Sequence, residues 1–286
     1  MALIQSIKQF DEEIQRIRDL THEGELIFRG QSDSSWNIVS SAYRYVKGLY
    51  PALNVTLKTM EFFKSDVRKG LIQLNQYDGD DIVNIENEDE IMGMLQHLGG
   101  KSVFIDFSEN QYISLYFACE KLACEKHGIV FVMEHRDDGL IYNIDGKSVG
   151  EYKKIELPSN NEASKRLKVQ YSCFLNPTYS TVIQNNSNIH HIEIDRNCKE
   201  KILKELNEDK GINHNSVYPD FWGYMSRQTI DGNTHEFKSI AFREISQTIK
   251  DGCASKMNDV LKTLETLSNV NDEKDNSYKD EQRIKY

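Results

Sequence analysis

The chain has 286 residues, 45 acidic against 35 basic for a net charge of −10, and the AVILMFWYC set makes up 38% of it. With 16 glycines added, this approaches the roughly 45–50% apolar content of ordinary globular proteins, which excludes disorder throughout and allows one large core or two small ones. The acidic balance disfavours bulk nucleic-acid binding, whose affinity comes from neutralising phosphates, but one arginine in a dry cleft can still hold a single anionic small molecule. No stretch approaches the roughly 18–20 uninterrupted apolar residues of a membrane helix; the richest, 103–123, carries Asp106, Glu109, Asn110 and Glu120. Near the start, Lys8, Asp11, Glu12, Glu13, Arg16 and Arg18 stand where a signal peptide needs an apolar run. The expectation is a cytoplasmic protein with no membrane contact. Its five cysteines are odd in number and scattered without a CxxC pair, so neither a disulfide framework nor a metal site is expected.

In chain order, Ile7, Phe10, Ile14 and Ile17 are three and four apart with charges between them, the period of an amphipathic helix. Residues 25–31 read as a short buried strand ending in a glycine turn, with Arg29 at the strand end. Met60, Phe63, Val67, Leu71 and Leu74 predict a second helix that packs on the core. Seven of the thirteen residues 78–90 are acidic, the composition of a solvated loop or helix start. A helix over 91–98 stops at Gly99-Gly100, a strand covers 103–107, and a buried helix holds Ile113, Tyr116, Phe117, Ala118 and Leu122. Residues 128–134, 139–142, 151–157, 167–174 and 189–195 are short, β-rich and separated by Gly, Asn, Asp and Pro, which predicts a sheet. Asn197 with Glu200 three positions on marks a helix start that buries Ile202, Leu203 and Leu206. A helical stretch is expected over 236–267, and a tail over 268–286 holds nine charges in nineteen residues with little to bury. Helices at both ends around a strand-rich middle predict an α+β fold.

The short motifs of phosphate loops, dinucleotide folds, zinc proteases and nucleophile elbows are missing. His190 and His191 are adjacent on an alternating strand and face opposite ways, so they cannot share a metal. Four ordered segments nevertheless resemble one family, the FRG domain. Phe28-Arg29-Gly30-Gln31-Ser32 runs on to Trp36 and Tyr43-Arg44. A second block is Gln96-His97-Leu98-Gly99 with Asp106-Phe107-Ser108 and Ser114-Leu115-Tyr116-Phe117-Ala118. Arg166-Leu167-Lys168-Val169-Gln170 with Phe174 forms a third, and the helix at 201–206 leading to Pro219-Asp220-Phe221-Trp222-Gly223 a fourth. One position departs: Val103 stands where the family usually has a basic residue, whose part is then absent or moved to a neighbour such as Lys101.

This block order is similar to that of ADP-ribosyltransferase-like folds, where NAD lies between two small sheets. The resemblance implies an ADP-ribosyltransferase-like split sheet with flanking helices, as an FRG domain over 1–235 with a helical extension after it. It implies NAD as substrate, no metal, and a place in bacterial phage defence or a toxin system, with a protein target or regulator as partner. Arg29, with Gln31 and Ser32 beside it, would bind NAD through a bidentate fork. Ser108 would orient the nicotinamide ribose, and Tyr116 or Tyr43 would pack near it. Gln170 occupies the place where active transferases often carry glutamate; it can hold a ribose hydroxyl but cannot act as a base. Either Asp106 then supplies the carboxylate that offsets oxocarbenium charge, or NAD cleavage is lost and the cleft is a module that binds a nucleotide or a partner protein. Arg29 and Asp106 could also form a buried ion pair between two strands.

Overall fold

A computed structural model describes residues 3–21, 24–78, 87–97, 100–121, 125–156, 162–178, 180–183 and 189–219. Helix α1 (Ile7–Leu20) opens at Ser6, whose hydroxyl accepts the Gln9 N–H, and it buries the four predicted apolar residues. Strand β1 (Glu25–Gln31) and a two-residue strand β2 (Ile38–Val39) follow, then three helices, α2 (Ser41–Leu49), α3 (Leu57–Asp78) and α4 (Glu88–His97). Strand β3 (Ile105–Ser108) leads directly into α5 (Gln111–Cys119), which Asn110 caps by accepting the Tyr112 N–H. The middle of the chain holds β4 (Gly128–His135), β5 (Leu140–Tyr142), β6 (Ser148–Lys153), α6 (Glu162–Val169), β7 (Ser172–Pro177), β8 (Val182–Ile183) and β9 (His190–Ile194). A 3-10 turn (Arg196–Cys198), α7 (Lys199–Lys210) and α8 (His214–Val217) complete the described elements, all within the unit Met1–Tyr224. The helix expected over 236–267 and the charged tail over 268–286 lie outside the described residues, as does most of the acidic run.

The strands form a closed ring. In order they run β1-β3-β7-β6-β5-β4, every neighbour antiparallel, and β4 pairs back onto β1, so that six strands make a barrel with β9 added on β4. The α+β class holds. The split sheet does not: a closed ring stands where two sheets with a cleft between them were expected, and only the small β2–β8 pair is separate. Alternation decides the layers. Ile27, Ile105, Phe107, Phe131, Met133 and Leu175 belong to one apolar cluster inside the ring, which Ile38 and Ile183 of the β2–β8 pair join. The opposite face of β1 and β4, with Leu26, Phe28, Val130 and Val132, packs under α1, α5 and α7. A third cluster joins α2, α3, α4 and α6 to Phe104 and Phe174. Each fully buried side chain such as Phe131 or Phe174 contributes roughly 1.5–3 kcal/mol.

Two local readings are corrected. The strand expected over 167–174 begins as the last turn of α6, and the chain reverses at Tyr171, φ 47°, before β7. The turn before α7 is capped by Asp195, whose side chain accepts the Asn197 N–H, rather than opened by Asn197 itself. Helix α7 ends on Gly211 at φ 67°, a left-handed cap.

Candidate functional site

The site is built on β1. Phe28 faces the outer helices and is 2% exposed, while Ile27 faces the barrel interior, so Arg29 and Gln31 continue the inward face by alternation. Gly30 returns to the outer face, where the backbone of α5 crosses so closely that a Cβ would lie 1.8 Å from the Ser114 carbonyl oxygen. Gly128 meets the same helix, its Cβ position 2.3 Å from the Ala118 carbonyl oxygen. Phe28-Arg29-Gly30 therefore reads as core contact, site residue and helix seat in succession.

The two edges of β1 differ. Toward β4 all seven residues are in register, from Glu25 opposite His135 to Gln31 opposite Ile129. Toward β3 there is one pair, Phe28 opposite Ser108. Past that pair the strands part, and the Asp106 carbonyl that a continued ladder would occupy accepts Arg29 Nη1 at 2.6 Å instead. Arg29 Nε donates to Gln31 Oε1 at 3.4 Å, and Gln31 Nε2 to the Trp36 carbonyl at 3.0 Å. A cavity of about 740 Å³ opens along this seam, lined among others by Arg29, Arg44, Asp106, Tyr43, Trp36 and Glu120.

Its electrostatics centre on one carboxylate and two guanidiniums. Burial pushes the Arg29 pKa down to about 10, with Asp106 acting against the shift and Arg44 adding to it; the group stays charged near neutrality. Arg44, whose Nη1 donates to the Val39 carbonyl at 2.9 Å, is likewise lowered by burial and opposed by Asp106. The Asp106 carboxylate forms no ion pair with Arg29, because the guanidinium is engaged by the main chain. Gln96 Nε2 donates to Asp106 Oδ2 at 2.5 Å and is itself oriented by the Ser41 hydroxyl, 3.1 Å from Gln96 Oε1. Asp106 Oδ1 is buried and has no hydrogen-bond partner among the described residues. A buried carboxylate oxygen without a donor is unfavourable by roughly 1–3 kcal/mol or more.

Of the residues proposed from sequence, Arg29, Gln31, Ser32, Tyr43, Asp106, Ser108 and Gln170 line this cavity. Tyr116 does not belong to that lining. It is buried under the outer helices, its hydroxyl 3.5 Å from His214 Nδ1, and burial raises its pKa. The Ser108 hydroxyl is spent on structure, donating to the Gln170 carbonyl at 2.6 Å and accepting the Asn110 N–H at 3.0 Å. Gln170 sits on the turn after α6 rather than on a strand, and its Nε2 donates to the Val217 carbonyl at 2.9 Å. Lys101 is exposed, and the second cation coupled to Asp106 is Arg44.

Sequence reasoning quoted Arg44, Gln96 and Trp36 without giving them a role and passed over Glu120 and Lys121. Trp36 is 46% exposed at the cavity, with Lys121 Nζ 5.5 Å from its ring centre. The available signal was a tryptophan seven residues after the strand arginine, a large amphipathic ring of the kind that lines small-molecule pockets. Lys199, 1% exposed at the start of α7, donates to the Ser32 carbonyl at 2.8 Å and anchors the loop after β1.

The family model of the FRG domain matches residues 24–127. The chain carries an FRG domain. No curated protein and no solved structure matches the chain. The FRG segment supplies Arg29, Arg44, Gln96, Asp106, Ser108 and Glu120, so both guanidiniums and both carboxyls of the cavity lie within the matched span. Gln170, Ser172 and Val182 complete the wall from beyond it. Among the described residues no group of three metal-ligating side chains is brought together, and no helix is long and apolar enough to cross a membrane.

Proposed function

We propose that the FRG-domain cavity binds a nucleotide of the NAD class and that Asp106 serves cleavage of its nicotinamide–ribose bond. The observation that carries the reading is the pair of guanidiniums at one cavity, Arg29 at depth and Arg44 nearer solvent, both under the electrostatic influence of the same carboxylate, Asp106. With Lys121 they outnumber the acidic side chains of the cavity, Asp106 and Glu120, in a chain whose net charge is −10. That local surplus suits a pyrophosphate, which arginine grips through a planar fork. Trp36, Tyr43 and Phe117 at the same cavity offer rings for a base, and about 740 Å³ falls within the roughly 300–1,000 Å³ of small-molecule pockets.

Breaking the glycosidic bond builds positive charge on the ribose, which the negative charge of Asp106, a carboxylate oriented by Gln96 at the cavity wall, would offset. An ADP-ribosyltransferase-like or NAD-glycohydrolase activity is consistent with these groups, as is a role in bacterial defence or as a toxin, where NAD loss harms the cell. Ser108 and Gln170 act as framework in this reading, because their polar atoms already serve the main chain. That same commitment favours the second reading, a module that binds the nucleotide or a partner protein without turning it over. Calorimetric titration with NAD, run beside an assay of nicotinamide release, tests both. Binding with release supports the first reading, binding without release the second, and absence of both removes the nucleotide.

A further inference from the structure

The cavity holds a second carboxyl that the proposed chemistry does not yet use. Glu120 closes α5 and lines the cavity beside Phe117 and Lys121. Its Oε2 accepts the Tyr218 hydroxyl at 2.9 Å, and among the described residues Oε1 accepts no hydrogen bond. The groups that face it are Lys121 on its own chain segment, His214 and Tyr218 from α8 and its C-cap, and Tyr116 within α5. Tyr218 is fixed in turn, its ring 4.9 Å from that of His214 and 5.4 Å from the Arg166 guanidinium. One carboxyl oxygen is thus held by a partly buried tyrosine, and the residue itself forms part of the cavity wall.

Resting on the NAD reading above, we propose that Glu120 is the general base that takes the proton of the attacking water. In the step, the water oxygen bonds to the anomeric carbon of the nicotinamide ribose as the C–N bond breaks. The bonding pair leaves with the nicotinamide nitrogen, and one water proton passes to Glu120. NAD and water give ADP-ribose, nicotinamide and a proton released on turnover. Asp106, near the two arginines, stabilises the sugar cation, so the two carboxyls divide the work by environment. Burial raises the Glu120 pKa, with Tyr218, Lys121 and His214 acting against it, and a base with an elevated pKa accepts a proton more readily at neutral pH.

The test follows nicotinamide release against pH in the full-length protein, with NAD affinity and thermal midpoint measured on the same samples. Wild type should gain rate with rising pH through the Glu120 titration. Glu120→Gln should lose about 10²-fold or more in turnover, flatten that limb, and keep NAD affinity within about threefold. Tyr218→Phe removes a bond that favours the ionised carboxyl, so its limb should move to higher pH by up to about one unit. Lys121→Gln, at an exposed side chain, should move it the same way and covers the case in which Tyr218→Phe disturbs folding. A Glu120→Gln variant with wild-type rate and limb, or an unmoved limb in both other variants, overturns the base while leaving NAD cleavage in place. A wild type that binds NAD but releases no nicotinamide overturns cleavage and the base together.

Discussion

The two edges of β1 carry the same seven residues and meet opposite fates. Toward β4 the ladder is complete, every residue has a registered partner, and the inward side chains of β4, Ile129, Phe131 and Met133, make core with Ile27. Toward β3 the ladder stops after Phe28 and Ser108, and an arginine side chain reaches across to the carbonyl left behind. A main-chain hydrogen bond in a ladder contributes about 1 kcal/mol net, so an edge left unpaired over a few residues is a modest loss that one side-chain bond can partly recover. What the open edge gains is a cavity whose wall is strand on both sides, a rigid mount for Arg29 and Asp106.

The comparison breaks most severely at the residue that seats the helix. Gly30→Ala places a methyl against the α5 backbone at 1.8 Å, which no side-chain shift relieves. It should destabilise by about 3 kcal/mol, the upper range for overpacking, read as a large drop in thermal midpoint. At the open edge, Asp106→Asn should lower nicotinamide release by about 10² to 10³. Nucleotide affinity should hold or tighten, since removing the negative charge leaves Arg29 and Arg44 unopposed; weakened binding on titration would count against the two-arginine grip.

On the framework side, Gln170→Glu removes the donor that serves the Val217 carbonyl. The protonated acid can still donate there and the carboxylate cannot, so the folded state raises this carboxyl's pKa above its unfolded value. The variant should be near wild type at low pH and lose about 1–3 kcal/mol as pH rises past the usual glutamate range. A chemical-denaturation series against pH reads this directly. The smallest effect is expected for Arg29→Lys, which keeps charge and one donor but loses the fork. Affinity for NAD should fall about tenfold, 1.4 kcal/mol, with a change of only a few degrees in melting temperature. A stability loss with unchanged affinity would make Arg29 a strut alone.

The sequence made local periodicity legible and left closure hidden. Ile7, Phe10, Ile14 and Ile17 announced α1 because a helix repeats its burial every turn. Strand composition announced β4 and β9, but nothing in β1 says that its partners begin about 80 and 100 residues later, because pairing is decided by tertiary register. Helix α2 went unread since only Ala42 and Val46 are buried on it, too few to show a period. Gln170 was placed on a strand because Val169, Tyr171 and Phe174 have strand composition, whereas the reversal depends on Tyr171 taking a left-handed conformation that tyrosine seldom adopts. Arg29 and Asp106 stand out in sequence through the FRG motif, and both line the cavity. Tyr116 failed because a helical aromatic gives no sign in sequence of which face it joins.

The ring also sets an order of events during synthesis. Strand β1 leaves the ribosome with neither edge neighbour made: β3 is still about 75 residues away, β4 about 100, and β7, the other neighbour of β3, about 140. At roughly 5–20 residues per second this leaves the apolar strand 25–31 unsatisfied for several seconds or more. The family-matched stretch ends at residue 127, one position before β4 begins. A nascent chain halted there would hold the arginine and the carboxylate of the cavity and still have no barrel to mount them on.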